Sequence, residues 1–192
     1  MKVMLLNGSP NEKGCTYTAL REVEKVLNNH EIKTEMIYLG KKPIAGCIAC
    51  SKCFETGRCI WNDKVNEIAE RLDEIDGLII GSPVYYASAN GSLTAFLDRL
   101  FFSAGDKMAG KLGASIVSCR RAGSTATFDQ LNKYFTISNM PIVSSNYWNK
   151  GLQIMRTLGE NMAWLLKCIE AGKKMNIQKP EYEEKIMTNF IK

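Results

Sequence analysis

VMLLNGSPNEKGCTYT, residues 3–18, joins a short apolar run to a dozen small and polar residues. The run Val3-Met4-Leu5-Leu6 is too short for a helix or for the apolar region of a secretory signal, so it reads as a strand. The polar stretch is too long for a turn, and an amphipathic helix begins inside it with Leu20, Val23 and Leu27 on one face.

Four further apolar runs of strand length follow: residues 34–39, 77–82, 112–118 and 141–144. Helical spacing of three, four and seven fills the gaps: Val65, Ile68 and Leu72; Leu93, Phe96, Leu97, Leu100 and Phe101; Phe128, Leu131 and Phe135; and Leu152, Met155, Met162, Leu166 and Ile169. Strands alternating with helices give an α/β fold with a parallel sheet and right-handed crossovers. The expected division is one domain over residues 1–172 and a polar extension over 173–192, which contains Pro180. In that extension Tyr182, Ile186, Met187, Phe190 and Ile191 are candidates to dock on a partner.

The bulk composition narrows the function classes. A chain of 192 residues suits one domain with a sheet covered on both faces. No apolar run approaches the roughly 18 residues of a membrane span. Net charge is +5, from 25 basic and 20 acidic residues scattered along the chain. That pattern suits anionic ligands and argues against a nucleic-acid or membrane partner. Seven cysteines without a signal peptide point to a reducing, cytoplasmic setting.

Sheets of this kind bind ligands outside the carboxyl ends of their strands, where the strand order reverses. Three segments fall there, the expected loops of residues 8–18, 83–92 and 119–124. The loop Gly8–Thr16 feeds a helix whose free N–H groups attract an anion, and Ser9, Asn11, Thr16 and Thr18 add short donors, so a terminal phosphate is the natural guest. The segment matches neither the dinucleotide glycine fingerprint nor the P-loop. Alone, it reads equally as a helix start capped by Ser or Thr. The second segment, GSPVYYASANGSLTAFLDR (81–99), sets Tyr85 and Tyr86 beside backbone amides, which suits a flat heteroaromatic ring; half-buried loop tyrosines are the plainer reading. The third, CRRAGS (119–124), offers Arg120 and Arg121 with amides around Ala122 and Gly123, groups that suit the pyrimidine edge of a flavin; a pair of solvated loop arginines is the plainer reading.

LLNGSPNEKGCTYTAL, GLIIGSPVYYASANGSLTAFLDRLFF and RRAGS together resemble the flavodoxin-like NADPH-dependent FMN reductases, including their quinone-reducing and iron-sulfur flavoprotein branches, from Met1 to about Lys167. The resemblance implies a doubly wound, three-layer, five-stranded parallel sheet of order 2-1-3-4-5 with FMN at the switch point. It implies that Ser9, Asn11, Gly14, Cys15 and Thr16 hold the phosphate, that Pro83, Val84, Tyr85, Tyr86 and Ala87 flank the ring, and that Cys119, Arg120, Arg121 and Gly123 line its other edge. Cys15 departs from the Asn common in the family, which leaves its backbone N–H as the family-like feature. After NYWN (146–149) the chain passes through Lys150 and Gly151 straight into a helix, where many relatives carry a longer acidic loop. Any lid or dimer contact made by that loop is therefore in doubt.

The segment GCIACSKCFETGRCIW (46–61) places Cys47, Cys50, Cys53 and Cys59 around one short loop. This spacing suits a 4Fe-4S cluster and resembles the compact motif of the iron-sulfur flavoproteins. Zinc on four thiolates and a loop of free or redox-active thiols are the alternatives.

The expected function is FMN-dependent NAD(P)H oxidoreduction, passing hydride or electrons through FMN to a quinone, flavin, nitro compound or protein acceptor. The alternatives are an iron-sulfur flavoprotein electron carrier using Cys47–Cys59, and a thiol or metal redox sensor that binds a protein partner. With His30 as the only histidine, on a polar helix end, no Ser-His-Asp set exists, and Glu67 and Glu70 lie on a solvated face. No catalytic side chain is assigned. A homodimer or homotetramer follows from the resemblance, with Trp61, Phe101, Phe102 and Tyr147 as apolar contacts; Trp148 and Trp164 read equally as core.

Overall fold

Alternate residues of the first strand face two different cores. The computed structural model describes residues 1–146 and 151–183. In chain order its elements are β1 (Lys2–Asn7), α1 (Cys15–Asn29), β2 (Lys33–Tyr38), α2 (Lys52–Thr56), α3 (Lys64–Glu70), β3 (Gly77–Tyr85), β4 (Ser88–Ala89), α4 (Gly91–Ala104), β5 (Leu112–Ser118), α5 (Ser124–Ile137) and α6 (Gly151–Lys174). Val3 and Leu5 of β1 pack with α1 and α6, through Leu20, Val23, Leu158 and Met162. Met4 and Leu6 pack against α3, α4 and α5, through Ile68, Phe96, Leu100 and Phe135. A strand buried on both faces belongs in the middle of a covered sheet, and apolar burial of this kind stabilises by about 25 cal/mol per Å².

β1 pairs in parallel with β2 on one side and β3 on the other, and β5 pairs in parallel with β3. The fifth parallel position is a single bridge, Gly113 to Ile142. Two backbone bonds fix it: Gly113 N donates to Pro141 O at 2.9 Å and Val143 N to Gly113 O at 2.8 Å. The parallel strands thus follow the expected order 2-1-3-4-5, with the run 141–144 reduced to one rung because Pro141 has no N–H to extend a ladder. The helices form layers on both faces of the sheet.

One expectation is corrected here. Residues 83–92 are not a loop: β3 runs on to Tyr85 and folds back on β4 as an antiparallel hairpin, Val84 opposite Ala89 and Tyr85 opposite Ser88. The expected boundary at 172/173 falls within α6, which ends at Lys174. Trp164 is exposed rather than core, Trp61 and Phe102 are exposed, and Phe101 packs against the core. His30 ends α1 at the surface, its Nε2 hydrogen-bonded to Glu160 Oε2 at 2.7 Å on α6. Tyr147, Trp148, Ile186, Met187, Phe190 and Ile191 lie outside the described residues. Among the described residues, no helix is long and apolar enough to cross a membrane.

Candidate functional site

The carboxyl ends of β1, β3 and β5 converge on one edge, and short side chains tie their loops together. Gly8 N donates to Gly81 O at 2.9 Å. Asn90 Nδ2 donates to Gly8 O at 2.9 Å, while Asn90 N donates to Ser82 Oγ at 3.1 Å. Thr16 Oγ1 and Ser118 Oγ share a hydrogen bond of 2.8 Å, linking the start of α1 to the end of β5. Gly81 makes the approach feasible, because a Cβ there would lie 2.8 Å from Thr16 Cγ2 and 2.9 Å from Leu20 Cδ1.

The first loop is held by its own polar groups. Asn7 is buried; its Oδ1 accepts from Ser9 N at 3.1 Å and its Nδ2 donates to Glu12 O at 3.1 Å. Ser9 Oγ accepts from Asn11 N at 3.1 Å, and Tyr38 Oη donates to Pro10 O at 2.7 Å. The loop ends at Gly14, the N-cap of α1, where no side chain caps the helix and the first turn holds no acid. The Ser or Thr cap weighed from sequence is therefore absent. By contrast, Asp63 caps α3 through Val65 N and Asn90 caps α4 through Ser92 N. A helix start without a cap or a local acid keeps its donors and its positive end for an anion. Ser9 and Thr16 are buried beside it, while Asn11 and Cys15 are exposed.

The second loop is strained. Tyr86 has φ +52° and Ala87 φ +60°, both in the left-handed region, forming the two-residue turn of the β3–β4 hairpin. Each such residue costs on the order of 1–2 kcal/mol, and strain of this kind persists only where neighbours enforce it. Gln130 on α5 is one enforcer, its Oε1 accepting from Ser88 Oγ at 2.9 Å and Ala89 N at 3.1 Å. Gly123 is the other: at φ +88° it lies so close to the turn that a Cβ there would fall 2.6 Å from Ala87 Cα. Tyr85 and Tyr86 are both exposed, so neither is the half-buried loop tyrosine of the plainer reading. Arg120, Arg121 and Cys119 are exposed at the same edge. Gly123 is the N-cap of α5, again with no side-chain cap and no acid in the first turn. Thr127 is fully buried in that first turn, with its Oγ1 unpaired among the described residues.

The edge offers features of its own that suit FMN: an uncapped helix start at Gly14, and a strained aromatic turn packed against a second uncapped helix start flanked by two arginines. The three loops adjoin one another, Gly8 tied to Gly81, Thr16 to Ser118 and Gly123 packed against Val84 and Ala87. Sequence reasoning missed the buttress Gln130, for which no local signal exists. It also gave Asn90 no role beyond leading into a helix, although Asn before Gly-Ser is a capping signal.

The four cysteines line one pocket with Ile48, Trp61, Arg99 and Phe102. Ala49 (φ 53°), Ser51 (φ 58°) and Gly57 (φ 68°) turn the chain around it. Cys47 and Cys50 are exposed, Cys53 and Cys59 half-buried. Burial pushes the Cys53 thiol up; a backbone hydrogen bond partly opposes this, and Cys47, Cys50 and Cys59 push it further the same way. Among the described residues no three His, Cys, Asp or Glu gather tightly enough to hold one metal ion. A lone zinc would need its thiolates about 2.3 Å from a single centre. Four thiols lining one pocket also suit a larger cluster as a donor set.

Buried polar side chains hold this loop. Asn66 Oδ1 accepts from Cys59 N at 3.0 Å, and Asn66 Nδ2 donates to Cys59 O at 2.9 Å and Trp61 O at 3.1 Å. Arg99 Nη1 donates to Asp63 Oδ2 at 2.7 Å and Arg99 Nη2 to Asp63 Oδ1 at 2.9 Å. Neither Asn66 nor Arg99 stood out in the sequence, because each occupies an ordinary helical position.

Comparison with known proteins agrees with this fold. The family model described as NADPH-dependent FMN reductase matches residues 1–153. An iron-sulfur flavoprotein of Methanocaldococcus jannaschii is 31% identical, over 88% of this chain and 100% of that protein. An iron-sulfur flavoprotein of Methanosarcina thermophila is 24% identical, over 90% of this chain and 99% of that protein. Among solved structures, an NADH:FMN oxidoreductase in its apo form superposes with a TM-score of 0.65 at 19% identity, over 85% of this chain and 89% of that one. A flavodoxin from the domain Archaea gives 0.61 at 16% identity, over 87% and 99%. At those identities the two structures speak for the fold alone. The chain belongs to the NADPH-dependent FMN reductase family of FMN-dependent oxidoreductases, close to its iron-sulfur flavoproteins.

Proposed function

We propose that the protein is an FMN-dependent NAD(P)H oxidoreductase that binds FMN across the edge formed by β1, β3 and β5. The observation that carries this reading is the pair of uncapped helix starts, at Gly14 and Gly123, the second packed against the strained Tyr86–Ala87 turn. Ser9, Asn11, Gly14, Cys15 and Thr16 hold the phosphate; Pro83, Val84, Tyr85, Tyr86 and Ala87 flank the ring. Cys119, Arg120, Arg121 and Gly123 line its pyrimidine edge, where the positive charge and the start of α5 favour an electron-rich ring. FMN held by these residues would supply the redox chemistry between NAD(P)H and a quinone, flavin, nitro compound or protein acceptor. The side chains bind, orient and bias; none is assigned a proton transfer. A reducing, cytoplasmic setting suits the seven cysteines, and self-association as a homodimer or homotetramer through the exposed Phe54, Trp61 and Phe102 belongs to the same proposal.

The test is binding and reduction of flavin. Flavin-stripped protein should bind FMN on the order of 100-fold tighter than riboflavin, which lacks the phosphate. NADH or NADPH should bleach the bound flavin under anaerobic conditions. Equal affinity for FMN and riboflavin would remove the phosphate site, and a flavin that neither nucleotide bleaches would remove the enzymatic reading.

The cysteine pocket favours a second reading within the same family: an iron-sulfur flavoprotein that carries electrons, with a 4Fe-4S cluster on Cys47, Cys50, Cys53 and Cys59. Its support is the convergence of all four thiols on one pocket. Anaerobic iron and sulfide analysis is expected to find about four of each per chain by the cluster's stoichiometry, and Cys53→Ala to abolish both. Iron without sulfide, or neither, would remove this reading.

A further inference from the structure

Arg99, on α4, is the largest fully buried side chain among the described residues, 1% exposed. A guanidinium taken out of water is costly unless its donors are all used. Here they are. Besides the two bonds to Asp63, Nη1 donates to Ala45 O at 3.3 Å, Nη2 to Trp61 O at 3.3 Å and Nε to Cys59 Sγ at 3.2 Å. Five N–H groups meet five acceptors, and every acceptor lies on the segment Ala45–Asp63 that carries the four cysteines.

This pattern exceeds what packing requires. A buried ion pair adds little stability over well-packed apolar residues of the same volume. A neutral thiol is also a weak acceptor, whereas a thiolate bound to a cluster is a strong one. Asp63, with its side chain 39% exposed, compensates the buried guanidinium while facing solvent, so Arg99 presents its charge toward the pocket.

We propose that Arg99 is a positioning residue for the redox centre of the cysteine pocket: through Nε–H to Cys59 Sγ it fixes the fourth ligand, and it raises the reduction potential of a 4Fe-4S cluster held by Cys47, Cys50, Cys53 and Cys59. The inference rests on the iron-sulfur reading above. A fixed cation and an N–H donor beside a ligand sulfur stabilise the electron-rich state, so one electron, supplied by reduced flavin, is accepted at a higher potential with no proton required. Asp63 balances the effect by placing a negative charge behind the cation. Asn66 holds the Cys59 backbone from the other side.

The experiment compares wild type, Arg99→Lys and Asp63→Asn, each reconstituted anaerobically with iron and sulfide. Arg99→Lys keeps a charge but loses the Nε donor and the fork; it should lower the midpoint potential in an EPR-monitored titration and release iron to a chelator about 10- to 100-fold faster. Asp63→Asn keeps the guanidinium and a residue able to cap α3, and should shift the potential upward. Opposite shifts are the signature, since loosening the fold would not move the two variants in opposite directions. Shifts of the same sign, or none, overturn the tuning role. Hydrogen exchange on the cluster-free protein gives a separate readout: Arg99→Lys should speed exchange across residues 45–61 and leave α1 and α6 unchanged. If wild type takes up no iron and sulfide, the cluster reading is lost and the tuning role with it, while exchange still decides positioning. Unchanged exchange in Arg99→Lys overturns that as well.

Discussion

The flavin edge and the cysteine pocket are assembled in opposite ways. At the flavin edge, segments distant in sequence are brought together by the sheet itself, and the ties between them are backbone groups and short neutral side chains such as Thr16, Ser82, Asn90 and Ser118. The cysteine pocket is built mainly from one contiguous stretch with few backbone bonds of its own, Phe54 N to Ser51 O and Gly57 N to Cys53 O among them. That stretch is held from outside by Arg99 and Asn66. The first site is a product of the doubly wound topology, which leaves a crevice wherever the strand order reverses. The second is an attachment to that fold, held by the side chains of α3 and α4. Loss of one side chain should therefore undo the second site and spare the first, while a change of backbone shape at the edge should do the reverse.

The largest expected effect tests the attachment. Arg99→Met leaves the Asp63 carboxylate and the Ala45 carbonyl without the guanidinium, and should cost about 3 kcal/mol of stability in urea unfolding. Its folded fraction should still bind FMN with wild-type affinity. A tenfold loss of FMN affinity would show that the two sites are one unit and break the contrast. Next in size is Gly123→Val, which places a β-branched residue at φ +88° and a Cβ 2.6 Å from Ala87 Cα. Strain of about 1–3 kcal/mol is expected, together with loss of FMN binding and unchanged retention of iron. If FMN still binds tightly, the third loop does not shape the ring site.

The same contrast explains what was legible in the sequence. The runs Val3–Leu6 and Gly77–Ser82 read as strands and the helical spacing between them as crossovers of a parallel sheet, while the strand order came from the family resemblance. What escaped was the hairpin after Pro83, because Tyr86 and Ala87 adopt left-handed backbone without the glycine or asparagine that usually announces such a turn. The run 141–144 looked like a full strand, and its one-residue pairing reflects a proline that pattern reading passes over. At the flavin edge the loops could be placed because glycines and short polar residues follow each strand. Their buttresses could not, since Gln130 reaches the hairpin only through the packing of α5. In the pocket the cysteine spacing declared itself, while Arg99 sits among Leu97, Leu100 and Phe101 and reads as a solvated residue on an apolar helix. Its burial follows only from where α4 meets the cysteine loop.

A smaller effect separates the phosphate from the rest of the flavin. Thr16→Val keeps the shape of a buried residue but removes the hydroxyl that meets Ser118 Oγ at 2.8 Å. FMN should bind about tenfold more weakly, the equivalent of roughly 1.4 kcal/mol, with riboflavin affinity unchanged. Equal losses for both flavins would place Thr16 away from the phosphate.

The smallest effect is a control at neither site. Glu35 on β2 pairs with Arg71 and lies 3.2 Å from Lys2 Nζ. The hydrogen bond from Arg71 holds its carboxyl below the ordinary range; burial opposes this, and Lys2 adds to the lowering. A carboxyl with a lowered folded-state pKa contributes stability above its unfolded value of about 4.3 and loses it as pH falls through the folded value. Glu35→Gln should therefore be less stable than wild type by under about 1 kcal/mol at neutral pH, because the pair is only partly shielded from solvent. The difference should close as the pH drops below about 4, where wild type has lost the same contribution. FMN affinity and iron retention should match wild type throughout. A change in either would mean that the ion pairs around Lys2 reach one of the two sites through β1, and the separation between a sheet-built edge and a side-chain-held pocket would have to be redrawn along that strand.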